Sequence, residues 1–209
     1  MMNFRVLQQA LIDTLGAAAK ARFRVTGYRG QGYDAKEVKD NNRLVQAYYA
    51  SGDFPKSKGR FTGDTQHVMT FNVDFSVSAS AKADLSVLTD SGATPARVQA
   101  ALTASTDAAY EADVLLDEVI EYAYQILMDG RNVDLGLPVG TMSSRWVDRA
   151  VKGAPQPHGS LVVLTGQLQY SCQVVEEVTG DEGVLAGSGS VTTQLDIDGD
   201  DIEQTFVDN

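Results

Sequence analysis

Residues 69–78 read MTFNVDFSVS, and the alternation is unbroken: Met69, Phe71, Val73, Phe75 and Val77 on one side, Thr70, Asn72, Asp74, Ser76 and Ser78 on the other. A strand points successive side chains to opposite faces, so this stretch demands a sheet with one buried face and one wetted face. A second run, LVVLTGQLQYSCQVV at 161–175, repeats the pattern with Val162, Leu164, Leu168, Tyr170, Cys172 and Val174 on its apolar side. Its length lets it cross a whole sheet and project beyond it, and Gly166 within it is expected to mark a bulge.

Working outward, RFRVTGY (22–28) also alternates, and RLVQAYYA (43–50) is rich in strand formers and is expected to pair with it. Polar and glycine-rich residues 29–42 lie between them as a loop. The segment SGDFPKSKGRFTGD (51–64) holds three glycines, one proline and the cations Lys56, Lys58 and Arg60. Fourteen residues are long for a hairpin connection, and such loops often carry function, so this one is expected to protrude.

Helical spacing appears twice. In NFRVLQQALIDTL (3–15), Val6, Leu7, Ala10, Leu11 and Leu15 share a face, with Asn3 placed as N-cap and Gly16 near the end. Thr94-Pro95 opens the main helix as N-cap and first helical residue. From there Val98, Ala101, Leu102, Ala108, Ala109, Ala112, Leu115, Leu116, Val119, Ile120, Ala123, Ile126 and Leu127 keep three- and four-residue spacing to Asp129-Gly130. Ser105-Thr106-Asp107 is a candidate break, and a short helical run is expected around 145–151. The fold class is therefore α+β: a small, largely antiparallel sheet flanked by an N-terminal helix and a long central helix. Residues 1–178 form one core domain with the 51–64 loop protruding. Residues 179–209 form an acidic C-terminal extension with a hinge at 187–190 and a strand at 191–197.

The chain has 209 residues, a hydrophobic fraction of 43% and one cysteine, so it can bury a sizeable core but cannot form an internal disulfide or a CxxC zinc site. No run approaches the roughly 20 apolar residues of a membrane helix, and residues 1–20 lack a signal-peptide layout. Charge is uneven: residues 1–75 carry +4, residues 76–175 carry −5 and residues 176–209 carry −10, giving the net −11. An acidic chain repels DNA phosphates, so nucleic acid is not its expected main ligand. A basic front and an acidic tail suit a protein that meets copies of itself, or neighbours of opposite sign, in a fixed orientation. A tail that simply keeps the protein in solution would look the same.

Chemistry-bearing motifs are weak. Gly27, Gly30 and Gly32 have the wrong order for a dinucleotide loop, and Gly187 to Ser190 lacks the Gly-Lys-Ser/Thr ending of a phosphate loop. Asp196, Asp198, Asp200, Asp201 and Glu203 resemble a calcium loop in composition only, since Gly199 comes too early for the ligand spacing. Asp113, Asp117 and Glu121 fall four apart on the long helix, with Glu111 and Glu118 beside them, but the helix carries no histidine to complete a di-metal set. A solvated face, with a basic neighbour opposite in an assembly, is the expectation. His67 and His158 have no nucleophile elbow to serve, and Cys172 alternates onto the apolar face as a core residue. Trp146, flanked by Arg145 and Arg149, is either a cap on the core edge or an interface anchor, a role in which Trp and Arg are enriched. The chain is thus expected to be no enzyme and to need neither cofactor nor metal.

The order of these elements resembles a known family. HVMTFNVDFSVSASAKADL (67–85) precedes the long helix, an RW…G…P…G segment follows it, and LVVLTGQLQYSCQVVEE (161–177) closes the core. This layout is similar to the tail-terminator and neck (head–tail completion) proteins of long-tailed bacteriophages. The resemblance implies a structural virion protein, assembled in the host cytoplasm, that forms a hexameric ring joining the tail tube to the connector. Its partners would be its own copies and other tail or neck proteins, with DNA only passing through the lumen and no membrane. The implied interface residues are Lys56, Lys58 and Arg60 in the loop, Arg145, Trp146 and Arg149, and Asp196, Asp198, Asp200 and Asp201. A monomeric binding module, a head-completion connector and a tail-tube subunit are the alternatives.

Overall fold

The computed structural model describes residues 4–20, 22–27, 42–53, 64–177, 191–197 and 200–206. Helix α1 (Phe4–Ala19) leads into β1 (Arg24–Gly27), β2 (Arg43–Asp53) and β3 (Asp64–Ser80). A 3-10 turn (Leu85–Thr89) and helix α2 (Pro95–Met128) follow, then β4 (Met142–Lys152), β5 (Gln156–His158) and β6 (Leu161–Glu177). Among the described residues, strands β7 (Val191–Ile197) and β8 (Asp200–Phe206) pair with each other, in a second sheet. The main sheet runs β1-β2-β3-β6-β4, with β5 also on β6. The fold is α+β, as the two alternating stretches require.

At the centre, β3 and β6 pair antiparallel along all 17 residues of each, from Asp64↔Glu177 to Ser80↔Leu161, without a register shift. That register puts Phe71 beside Tyr170, Met69 beside Cys172, Val73 beside Leu168 and Val77 beside Leu164, all buried on one face. Both helices lie against this face. Leu7, Leu11 and Leu15 of α1 and Ala112, Leu116, Val119 and Ala123 of α2 join the strand residues in one core. Each large apolar side chain so buried contributes about 1.5–3 kcal/mol. The helices also touch one another, for the Tyr122 hydroxyl donates to the Ala18 carbonyl at 3.1 Å.

Several expectations need correction. Val6 is 48% exposed and Leu102 47% exposed, so each lies just off its helix's buried stripe. Helix α1 continues past Gly16 to Ala19, and Asn3 is outside the described residues. Helix α2 is unbroken through 105–107. The hydroxyls of Thr103 and Thr106 donate back to the carbonyls of Gln99 and Leu102 at 3.1 and 3.0 Å, so these residues do not compete with the helix backbone. Thr94 is the N-cap, with Pro95 in the first turn, but its side chain makes no cap hydrogen bond. Strand β1 pairs with β2 as expected, in parallel. The 51–64 segment is narrower than its composition suggests: Ser51, Gly52 and Asp53 pair with Thr70, Met69 and Val68, and β3 starts at Asp64. Residues 145–151 form strand β4 rather than a helix, because alternate side chains there meet two different environments.

Gly166 is not a bulge. It pairs in register with Phe75 and Lys152, and the irregularities of β4 fall at Met142/Ser144 and Val147/Arg149 instead. Its function is close approach: a Cβ there would meet Ile120 Cδ1 at 3.1 Å, Leu116 Cδ1 at 3.2 Å and the Val151 carbonyl at 3.3 Å. The missing side chain lets α2 settle onto β6. Gly159, with φ +63°, opens the two-residue connection from β5 to β6, where a left-handed residue is needed. Replacing Gly166 by valine is expected to cost about 1–3 kcal/mol in urea unfolding, through overpacking. A change below about 0.5 kcal/mol would show that the helix does not depend on this gap.

Candidate functional site

With both helices on one face of the sheet, its other face carries the polar halves of β2, β3, β6 and β4. The residues there are mostly uncharged: Thr70, Asn72, Ser76 and Ser78 of β3, Thr165, Gln167, Gln169, Ser171 and Gln173 of β6, and Gln46 and Tyr48 of β2. The register joins them into two hydrogen-bonded groups. In the first, Asp74 is central: its Oδ2 accepts from the Tyr48 hydroxyl at 3.0 Å and from Gln46 Nε2 at 3.5 Å, and its Oδ1 accepts from Gln167 Nε2 at 2.8 Å. Asn72 Nδ2 donates to the Tyr48 hydroxyl oxygen at 3.4 Å. In the second, the Thr70 and Ser171 hydroxyls are 2.9 Å apart, the Ser171 hydroxyl donates to the Asp148 carboxylate, and Trp146 Nε1 donates to Asp148 Oδ1 at 2.8 Å.

The Arg145-Trp146-Arg149 trio separates into three environments. Arg145 pairs with Cys172 and so points to the helix side. Its guanidinium donates to the carbonyls of Asn132 at 2.5 Å and Asp129 at 2.6 Å, just beyond the end of α2. Carbonyls at a helix C-terminus have no partners within the helix, and a cation there satisfies them and complements the helix dipole. Arg145 is therefore a structural cap. Trp146 pairs with Ser171 and lies half-buried on the polar face, held by Asp148. Arg149 follows the second irregularity of β4 and is exposed on the same face. Among the proposed anchors, the structure leaves Trp146 and Arg149 at the surface where a neighbour can reach them.

Lys56, Lys58 and Arg60 lie outside the described residues, as does Asp198. Asp196 is in β7, and Asp200 and Asp201 open β8, a strand that reading 196–203 as a solvated acidic end does not anticipate. The acidic stripe of α2 meets cations of its own chain. Lys152 Nζ lies 2.8 Å from Asp113 Oδ1 and 2.6 Å from Asp117 Oδ1, and Arg43 reaches Glu118 at 3.1 Å. The Arg43–Glu118 pair also lines a cleft of about 420 Å3 with Arg22, Phe23, Val119, Glu121, Tyr122 and Gln125. There the Arg22 guanidinium stacks 4.1 Å from the centre of the Tyr122 ring, so its cations are already engaged by the chain's own groups.

The remaining singled-out residues are structural. His67 is the fourth residue of β3, buried on the core face opposite Val174, and His158 is exposed in β5. Cys172 is a free thiol in the core, and burial pushes its pKa up to about 12, which removes its reactivity at neutral pH. No three His, Cys, Asp or Glu side chains gather as a metal set among the described residues. Nor is any helix among them long and apolar enough to cross a membrane. Compared with known proteins, the chain matches no protein-family model and no curated protein.

Two outcomes follow. Arg145→Met is expected to lower stability by about 2 kcal/mol, since it removes two charged-donor hydrogen bonds from partly buried carbonyls that keep one backbone donor each, whereas Arg149→Ala should stay within about 0.5 kcal/mol. Equal losses in urea titrations would contradict the division of roles. The second concerns pH. Lys152 has a raised pKa, because Asp113 and Asp117 hydrogen-bond its charged form. A raised folded-state pKa means that the stabilisation is complete below the unfolded value near 10.5 and fades as pH climbs through the raised value. Lys152→Met should therefore cost a few tenths of a kcal/mol at pH 7, as for other exposed pairs, and nothing once lysine is deprotonated. A gap that persisted at the alkaline end would assign the effect to packing.

Proposed function

We propose that this chain is a non-enzymatic structural subunit that assembles with copies of itself into a closed ring, serving as a tail-terminator or neck protein between the tail tube and the connector of a long-tailed phage. The observation that carries the reading is the two-sidedness of the main sheet. One face is closed by α1 and α2 in a single core. The other is nearly uncharged, made of serine, threonine, asparagine and glutamine; Gln46, Ser76, Ser78 and Ser171 on it are buried, and Trp146 and Arg149 stand at its rim. Its shortage of charged side chains and the Trp146 and Arg149 at its rim fit a protein contact better than a catalytic pocket, where titratable groups converge.

Element order supports the same reading. An N-terminal helix, a strand pair with a long connection, a long strand, a long helix and a second long strand succeed one another as in the family that the sequence resembles. Charge supports it too. Residues 1–75 are basic and residues 176–209 strongly acidic, which favours head-to-tail contact between unlike surfaces, and unlike surfaces meeting by rotation close a ring. A net negative ring would repel DNA from its lumen wall and let it slide.

The test is the native mass of the purified protein, by light scattering and native mass spectrometry, with negative-stain imaging of the same sample. A closed ring of about six copies is the expected result. Long tubes would make the chain a tube subunit. A monomer at every concentration would favour the monomeric binding module instead.

A further inference from the structure

We propose that the Asp74 carboxylate, the Tyr48 phenol oxygen and the side-chain amide oxygens of Gln46 and Asn72 form a binding site for a hard cation of calcium's size on the polar face of the sheet. The site does not depend on whether copies of the chain assemble.

The strand register brings the four together. Gln46 pairs with Asp74 and Tyr48 with Asn72, so two rungs of the β2–β3 ladder place the four side chains on the same side. Their polar atoms form a connected row. Tyr48 Oη is 3.0 Å from Asp74 Oδ2, Gln46 Nε2 is 3.5 Å from the same oxygen, and Asn72 Nδ2 is 3.4 Å from Tyr48 Oη. From the neighbouring strand, Gln167 Nε2 donates to Asp74 Oδ1 at 2.8 Å and fixes the carboxylate, as outer groups do for metal ligands.

The row has more oxygens than donors. Gln46 Oε1 and Asn72 Oδ1 are shielded and have no hydrogen-bond donor. Gln46 is only 9% exposed, so its orphaned oxygen keeps the desolvation penalty of an unpaired buried acceptor. The groups bonded to Asp74 are all neutral: Tyr48, Gln46 and Gln167. The two amides also make the two longest contacts of the set, so either can turn without losing a strong bond. Turning an amide over exchanges its nitrogen and oxygen at nearly the same positions. Both orphaned oxygens then join Asp74 Oδ2 and Tyr48 Oη around one point, and the half-buried Asp74 leaves a side for water and for entry.

The spacing selects the ion. Neighbouring ligands on a six-coordinate calcium, each about 2.4 Å from the metal, are about 3.4 Å apart. The three separations in the row, 3.0, 3.4 and 3.5 Å, bracket that value. Magnesium, with ligands at about 2.05 Å and strict octahedral geometry, requires about 2.9 Å, which two of the three exceed by about 0.5 Å. An all-oxygen set also disfavours zinc and copper, which take nitrogen and sulfur. A single carboxylate gives the site a low charge, which places calcium affinity in the weak range of about 0.1–1 mM.

Terbium(III), a luminescent ion of calcium's size, tests the site, because a tyrosine in contact with it passes excitation to the ion. Titrated into the full chain, terbium is expected to give saturable, tyrosine-excited luminescence that millimolar calcium displaces and equal magnesium does not. Asp74→Asn should weaken terbium binding at least tenfold and Asn72→Ala at least threefold, each with unchanged circular dichroism. If Asp74→Asn does not fold, Asn72→Ala decides. Helix α2 holds tyrosines beside its own carboxylates, so the double variant D113N/D117N is the control and should keep the signal. Residues 176–209 contain no tyrosine or tryptophan to excite an ion bound at their carboxylates. The site is overturned by terbium affinity within twofold of wild type in both single variants, by loss of the signal in D113N/D117N, or by no saturable luminescence at all.

Discussion

Everything in this molecule hangs on the pairing of β3 with β6. Seventeen residues of each run antiparallel in one uninterrupted register, so each side chain's face is set by a single choice. A slip by one residue would bring Asp74 and Asn72 under α2 and push Phe71 and Phe75 into water. The apolar face then has only one way to be covered, by the helices before and after β3. Gly166 adjusts the fit by removing the side chain that would hold α2 away. Arg145 ties the far end of the same helix to β4.

The other side of that choice is the polar face, away from both helices, on which Leu44, Gln46, Ser76, Ser78 and Ser171 are nonetheless buried. Its residues bond one another sideways, through Asp74 in one group and Asp148 in the other, which holds the side chains of this face in register across the strands. The edge strand β4 carries two irregularities, Arg149 and Lys152, features that discourage edge-to-edge strand addition. The proposed assembly is therefore placed at the face rather than the edge, and polar, hydrogen-bonded groups suit a contact that must form in a fixed orientation.

Much of this was legible because period-two patterns and helical stripes are local. The two long strands, both helices and the pairing of β1 with β2 all follow from residues close together in the chain. Strand β4 was hidden because the irregularity at Val147/Arg149 shifts the alternation in mid-strand, so 145–151 shows no clean period. One hairpin left a signal that composition outweighed. Gly159-Ser160 joins β5 to β6, a dipeptide whose leading glycine suits a two-residue connection. The Asp74 cluster was beyond reach, since Tyr48, Asp74 and Gln167 come from three strands whose relative register only the folded sheet defines. For the same reason Arg145 and Trp146, neighbours in sequence, could not be seen to serve opposite faces.

The central claim is that the polar sheet face is the surface through which the proposed assembly forms. Hydroxyl-radical footprinting of dilute and assembled protein, read at single aromatic residues, tests it most directly. Tyr48 and Trp146 lie on that face, and Tyr110, 73% exposed, and Tyr124 lie on the outer side of α2. The account predicts that Tyr48 and Trp146 become protected on assembly while Tyr110 and Tyr124 keep their labelling rate. Protection of the α2 tyrosines with Tyr48 and Trp146 unchanged would contradict it.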